Sequence, residues 1–169
     1  MNQQERPSIR AQSYMILRAP SEFGEKLRSS KANHKAHVAK LKYEQNMRLW
    51  ELAAAAIKSI DPEFAKVFTA LAVTQNFHGS PHIDKTNIGP FYGLAIGDHI
   101  DGTGGVRVEV DAMTVCEVNT KDRLGKIDGR MPHWVAPYDD DKERFSLIYY
   151  QTEGEITPTT TAVFAPYID

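Results

Sequence analysis

Three residues whose side chains could together hold a metal ion stand in the second half of the chain. His82 and Asp84 are two positions apart, so on an extended strand both side chains leave the same face. His133 is placed to bring a third ligand from a distant strand. Two imidazoles and one carboxylate on one face of an octahedron, with the other positions open, are the ligand set that suits non-haem Fe(II). The sequence therefore predicts an iron site at these three residues.

A second pair with chemical potential follows His133. Arg144 and Ser146 are again two apart, on a run that reads as a strand from 144 to 150. They would present a guanidinium fork and a hydroxyl to one spot, which fits a carboxylate. Two alternatives remain open: Arg144 forms a surface ion pair with the acidic residues just before it, which contributes little, and Ser146 is only a small residue on a packed face.

The order of these elements resembles the Fe(II)/2-oxoglutarate dioxygenase superfamily: His-x-Asp at 82–84, the distal His133, then Arg-x-Ser at 144–146. The resemblance implies that 2-oxoglutarate chelates the iron through its keto-acid end while its far carboxylate meets Arg144 and Ser146. It also implies O2 as co-substrate, with ascorbate as a candidate reductant. Halogenase relatives lack the carboxylate ligand, so the presence of Asp84 favours oxidation.

Within the superfamily the sequence looks most like the TET/JBP group, which oxidises the methyl group of 5-methylcytosine or thymine in nucleic acid. Asn87, three residues after Asp84, stands where these enzymes often place a side chain that contacts the target base. Residues 144–151 look like the ending strand of the group. Thr152 departs from the group, whose members carry a base-contacting His at that position. The resemblance covers about residues 74–152 and implies a nucleic-acid partner, DNA rather than RNA.

Other polar or aromatic side chains near these motifs are candidates for contact with the substrate. They are Asn76, His78, Asn87, Tyr92 and Thr152. Arg107 and Arg130 are expected to be solvated, Arg107 on a strand and Arg130 in a turn. A position at the mouth of the pocket is the alternative for both.

The fold expected around these residues is mainly β. From Ala70 onward the chain consists of short β-branched or aromatic runs separated by turns. The predicted strands are 71–77, 82–84, 91–97, 106–110, 113–118, 124–127, 132–135 and 144–150. About eight short strands with frequent turns are typical of a sandwich or jelly-roll barrel. The double-stranded β-helix (jelly-roll, cupin-like) of the oxygenase superfamily has that shape, and with the helices outside it the class is α+β or mainly β.

The first 70 residues are predicted to be mostly helical. Ser21 is a credible N-cap for a short helix to about Ser30, and residues 31–42 carry a basic helical surface. Residues 44–60 form the strongest amphipathic pattern, and Asp61-Pro62 restarts a short helix. We expect one domain over 1–169, with a mostly helical part at 1–70, a β-helix core at 71–152 and a C-terminal extension at 153–169.

The charge of the chain is unevenly distributed. Its 20 Lys and Arg against 22 Asp and Glu give a formal net charge of −2. Residues 1–48 contain ten Lys or Arg and four Glu, a net of +6, so the remainder totals −8. A basic arm is typical of a polyanion binder. A solvated helical surface is the alternative.

Several cellular settings are disfavoured. No apolar run approaches the length of a bilayer span, and residues 1–7 lack the apolar core of a secretory signal. Cys116 is the only cysteine, which excludes an intrachain disulfide and a thiolate zinc cluster. We expect an intracellular protein, cytoplasmic or nuclear and not secreted, with no membrane and no stable protein partner.

Two further functions stay open at this stage. The same oxygenase chemistry could act on a small molecule or a protein side chain. Alternatively, the chain could be a cupin-like protein that binds a metal or ligand without turnover. The pair Arg144 and Ser146 separates the last reading from the others, because a non-enzymatic metal binder would not need it.

Overall fold

The computed structural model describes residues 9–24, 33–159 and 162–164. The helices of the described chain are α1 (Pro20–Gly24), α2 (Asn33–Gln45), α3 (Met47–Ile60) and α4 (Phe64–Val67). Its strands are β1 (Ile9–Arg10), β2 (Ser13–Arg18), β3 (Ala70–Gln75), β4 (His78–Gly79), β5 (Phe91–Gly97), β6 (Val106–Glu109), β7 (Val115–Val118), β8 (Gly125–Ile127), β9 (His133–Val135), β10 (Arg144–Tyr150) and β11 (Val163–Phe164). None of these helices is long and apolar enough to cross a bilayer.

The strands form antiparallel sheets. The larger sheet has the order β11-β8-β5-β10-β3-β2, and a three-stranded sheet has the order β7-β6-β9. A two-stranded pair joins β1 to β4. Every pairing between these strands is antiparallel. The fold is therefore α+β, as predicted, with antiparallel pairing between its strands, while the closure of the sheets into a jelly roll stays a prediction.

The larger sheet separates two packed layers, because side chains alternate along each strand. On β10 one face lines a cavity with Arg144, Ser146, Ile148 and Tyr150. The other face sends Leu147 and Tyr149 into a core shared with the helices. The same strand therefore serves the cavity on one side and the helical layer on the other.

Helix α3 covers the sheet as its apolar pattern predicts. Trp50, Ala53 and Ile57 are its buried residues, spaced so that they share one helical face. They pack with Leu71 of β3 and with the inward residues of β10. The helix begins at Met47 rather than at the predicted 44, because the Asn46 side chain donates to the carbonyl of Lys42 (2.8 Å) and ends α2 there.

A second core lies between the two main sheets. Its buried members are Phe91, Val108, Ile127 and Ala162, from β5, β6, β8 and the residue before β11. The large sheet thus includes strands from before and after residues 71–152, the range predicted for the β core. Strand β2 adds to one edge by pairing with β3, and β11 adds to the other by pairing with β8.

Several element bounds differ from the prediction. Strands β5 and β10 have the predicted bounds, whereas β6 to β9 are shorter by one or two residues at their ends, where strands commonly fray. Helix α1 begins at Pro20 instead of after Ser21, since proline suits the first turn of a helix. The rest of that predicted helix, beyond Gly24, lies outside the described residues.

Asp61 joins the helical layer to the sheet. Its Oδ1 accepts from the backbone N–H of Phe64 (2.9 Å), which caps α4, and its Oδ2 accepts from the Tyr92 hydroxyl (2.8 Å). Lys126 adds an ion pair to the same carboxylate (3.3 Å). Tyr92 therefore faces the helical layer, contrary to the prediction that it lines a substrate pocket. Burial, together with Asp61, raises the pKa of Tyr92.

We expect Tyr92→Phe to lower the free energy of unfolding by about 1–2 kcal/mol at neutral pH, because a hydrogen bond to a charged group is lost. Burial raises the pKa of Asp61. Hydrogen bonds from Phe64, Tyr92 and Lys126 outweigh this effect and hold the pKa of Asp61 below its usual value. The stabilisation is therefore present above the unfolded pKa of about 3.9 and is lost as pH falls through the folded pKa. Urea unfolding at several pH values measures this, and equal stability at pH 7 would contradict the assignment.

Candidate functional site

The structure brings His82, Asp84 and His133 together. One ligand atom from each lies within 4.8 Å of the others. Nε2 of His82 is 3.9 Å from Oδ1 of Asp84, and Nε2 of His133 is 3.8 Å from its Oδ2. These separations are too long for hydrogen bonds and leave room for one ion among the three groups.

The segment from His82 to Asp84 is not a regular strand, which corrects the prediction for 82–84. Pro81 lacks a backbone N–H and cannot extend a ladder. Instead, His82 and His133 exchange two backbone hydrogen bonds (3.1 and 2.9 Å), and Asp84 N–H donates to the carbonyl of Gly129 (2.7 Å). These backbone hydrogen bonds therefore bring the segments that carry the three side chains together.

Backbone carbonyls also set the histidine tautomers. Nδ1 of His82 is 2.8 Å from the carbonyl of Ser80, and Nδ1 of His133 is 2.9 Å from that of Met131. Because a carbonyl only accepts, each Nδ1 carries the proton and each Nε2 offers a lone pair toward Asp84. Burial lowers the pKa of His133, which favours the neutral imidazole that a metal requires.

The carboxylate of Asp84 is held by two neighbours. Asn87 is buried and its amide donates to Oδ2 of Asp84 (3.1 Å). Gly129 packs against the same oxygen, since a Cβ there would lie 3.0 Å from Oδ2 and 2.8 Å from the Phe91 ring. The amide of Asn87 thus supports a candidate ligand, and its role in contacting a substrate stays a prediction.

Arg144 is buried, and none of the acids in the described part of the chain pairs with it. It is 2% exposed, its guanidinium donates to Ser146 Oγ and to the carbonyl of Gly104 (2.7 Å), and it lies 5.3 Å from the Tyr138 ring centroid. Burial lowers the pKa of Arg144, but arginine stays charged in proteins. Among the described residues it forms no ion pair and its Nε has no partner. The surface ion pair considered for this residue is therefore wrong, and an isolated buried charge calls for an anion.

Thr74 belongs to the same spot and is not evident from the sequence. It lies opposite Ser146 in the antiparallel pairing of β3 with β10, so both side chains stand on one face at close range. It is 1% exposed, and within the described chain its hydroxyl has no partner. Thr74 can be identified only from the register of β3 against β10, which the sequence does not reveal.

One cavity of about 670 Å³ contains both groups. Its lining includes the three candidate ligands together with Arg144 and Ser146. Arg18 and Lys85 add two further cations to the wall, and Tyr14, Trp134 and Tyr150 add aromatic rings. Among the described lining residues the only acid is Asp84. The cavity is therefore electropositive except at the candidate metal ligands.

Three more of the predicted substrate residues lie outside this lining. Asn76 sits at the end of β3, where its Oδ1 accepts from the Arg144 backbone N–H (2.9 Å). His78 stacks on Tyr138 with ring centroids 4.5 Å apart. Thr152 forms hydrogen bonds with the hydroxyl of Thr69, through its backbone N–H (2.9 Å) and through its own hydroxyl (3.2 Å). Each has a structural contact that accounts for its position.

No protein-family model matches the chain, and no curated protein matches it. Among solved structures 21 chains match. One is a prolyl-4-hydroxylase from Pseudomonas putida, with 12% sequence identity, a TM-score of 0.40, and a match covering 83% of this chain and 93% of that one. At this identity and TM-score the likeness assigns neither a family nor a function.

We expect His82→Ala and Asp84→Ala to abolish binding of Fe(II), or of Co(II) used as a spectroscopic probe, with the fold retained because both side chains are about one-third exposed. The loss should exceed the roughly 100-fold that removing an outer-shell partner can cause. His34→Ala, an exposed imidazole on α2, is the matched control. Metal titration with equal affinity in all variants would reject the three-ligand site.

Proposed function

We propose that the chain is an Fe(II)- and 2-oxoglutarate-dependent dioxygenase. The observation that carries the proposal is the presence, in one cavity, of a two-histidine, one-carboxylate cluster and a buried guanidinium without an acid. In this proposal His82, Asp84 and His133 hold the iron. The far carboxylate of 2-oxoglutarate accepts hydrogen bonds from Arg144, Ser146 and Thr74.

The bound iron, with 2-oxoglutarate and O2, would supply the oxidation of a substrate C–H bond with release of succinate and CO2. The work of this chain is to hold and orient the reactants. Two backbone carbonyls accept from Nδ1 of the imidazoles, the amide of Asn87 donates to the carboxylate, and the missing side chain of Gly129 leaves that carboxylate its space. Arg144 fixes the far end of the cosubstrate.

The buried Arg144 favours this proposal over a non-catalytic metal binder. Burying an unpaired charge costs several kcal/mol, and nothing in metal binding requires it. The hydroxyls of Ser146 and Thr74 stand on the same face, so the three side chains form a site for one planar anion.

The charge of the cavity wall favours a substrate that carries negative charge. Arg18 and Lys85 lie in the lining, and Asp84 is its only acid among the described residues. A methylated base in nucleic acid, DNA before RNA, fits this charge and is the substrate we propose first. Small molecules and protein side chains remain the alternative substrates of the same chemistry, because Thr152 lies outside the lining and Asn87 is engaged by Asp84.

The test is formation of succinate by purified protein with Fe(II), 2-oxoglutarate, ascorbate and O2, with and without an oligonucleotide containing 5-methylcytosine. Asp84→Ala and an unmethylated oligonucleotide are the controls. Succinate stimulated by the methylated strand, with oxidised base detected by mass spectrometry, would support the nucleic-acid substrate. Succinate without base change would keep the enzyme class and reject that substrate. No succinate from iron-loaded protein would reject the dioxygenase.

We expect Arg144→Met to lose stabilisation by 2-oxoglutarate while the unliganded protein stays at least as stable as wild type, because the substitution removes an uncompensated buried charge. For wild type, ligand at 100 times its Kd should add about 2.7 kcal/mol of stability. Thermal unfolding with and without 2-oxoglutarate measures both quantities. A variant that is destabilised without ligand would show instead that Arg144 serves the fold.

A further inference from the structure

A turn from 128 to 131 supports two of the three candidate metal ligands. The carbonyl of Gly129 accepts from the backbone N–H of Asp84 (2.7 Å). The carbonyl of Met131 accepts from Nδ1 of His133 (2.9 Å). Arg130 lies between these two carbonyls in sequence, so any shift of this residue moves the backbone that holds both ligands.

The turn is fixed by an ion pair inside it. The Arg130 guanidinium donates twice to Asp128, from Nε to Oδ1 (2.8 Å) and from Nη2 to Oδ2 (2.7 Å). Asp128 is 1% exposed, and the Arg130 side chain is 17% exposed. The sequence-based expectation of a solvated turn position for Arg130 is therefore wrong. A two-point contact of this kind sets the orientation of both partners as well as their distance.

Arg130 also reaches two other segments. Its Nη1 donates to the carbonyl of Thr157 (2.5 Å) and, more weakly, to that of Ile88 (3.4 Å). Ile88 directly follows Asn87, whose amide holds the Asp84 carboxylate. The guanidinium thus joins the turn, the loop that carries Asp84 and the segment that leads toward β11.

We propose that Arg130, held by Asp128, is a positioning residue for the metal centre. The inference rests on the metal site of the proposed function and adds a residue outside the ligand set. Stability alone is a poor reason for the pair, since buried ion pairs often contribute little net stability compared with apolar replacements. The contacts of Arg130 with Asp128, Ile88 and Thr157 hold instead the turn whose Gly129 and Met131 carbonyls accept from Asp84 and His133.

An effect of charge and an effect of positioning predict opposite changes in metal affinity when Arg130 is replaced. Arg130→Gln removes a positive charge and leaves Asp128 negative close to His133. Coulomb attraction alone would then strengthen binding of a divalent cation. Loss of positioning would weaken it, because the carbonyls of Gly129 and Met131 would no longer be fixed. The two effects have opposite directions, so the measured affinity identifies which dominates.

The experiment is titration of the apoprotein with Co(II), followed by its d–d absorption, for wild type, Arg130→Gln and Arg130→Lys. Arg107→Gln is the matched control, because Arg107 forms a similar but more exposed pair with Glu117 (2.9 Å), and this pair joins β6 to β7 and makes no contact with Asp128. We expect affinity about 10- to 100-fold weaker in Arg130→Gln, the range for lost outer-shell partners, with an altered d–d spectrum. Arg130→Lys should lose less, and Arg107→Gln should match wild type.

Equal or tighter Co(II) binding by Arg130→Gln would overturn the proposal, as would an equal loss in Arg107→Gln. If wild type itself binds no Co(II), the metal site of the proposed function fails, and this inference falls with it. Urea unfolding of each apoprotein separates lost positioning from lost fold. Should both Arg130 variants fail to fold, Asp128→Asn weakens the same pair and keeps the shape of the side chain, and unchanged affinity and spectrum there would overturn the proposal.

Discussion

The buried guanidinium of Arg144 is the constraint around which the cavity is arranged. A charge that is 2% exposed with no acid beside it among the described residues needs every remaining contact to be favourable. Gly104 supplies its carbonyl from a backbone with φ of +65°, and a Cβ there would lie 2.9 Å from Nε of Arg144. Gly97 allows β5 to pass close to the start of β10, where a Cβ would strike the carbonyl of Glu143. Gly104 thus makes room for the guanidinium, and Gly97 makes room for the backbone of the strand that carries it.

The candidate metal ligands are held in a different manner. Strand β10 carries Arg144 and Ser146 in a continuous ladder with β3 and β5. His82 and Asp84 instead stand on a loop that is tied by a few backbone hydrogen bonds to His133 and Gly129. A loop is the less rigid support, and the amide of Asn87 adds a side-chain contact to it through Asp84. The candidate anion site is built into the sheet, whereas the candidate metal site is assembled between segments.

Local patterns were enough to predict part of this arrangement. Aromatic or β-branched runs between turns predicted β5 and β10 with their observed bounds, and residue types and spacing indicated three candidate ligands that the structure does bring together. Tyr92 was misplaced because Phe91, Tyr92 and Gly93 are all buried, so the two faces of β5 cannot be told apart by polarity. Thr74 and Arg130 were missed because their roles depend on strand register and on long-range hydrogen bonds. Both properties belong to the tertiary structure and leave no local pattern.

The residues that would decide the substrate are of a third kind. Ile83, Lys85 and Thr86 are exposed lining residues on the loop beside the candidate ligands, and they have few packing constraints on their identity. Their side chains can change without disturbing the ladder that holds Arg144 or the carbonyls that hold the histidines. In the proposed function, the groups that would hold the iron and the cosubstrate are therefore separate from the groups that would meet the substrate. The former are positioned by the ladder of β10 and by the backbone hydrogen bonds around His82 and Asp84, whereas the exposed side chains of the loop could vary with the substrate without disturbing that framework.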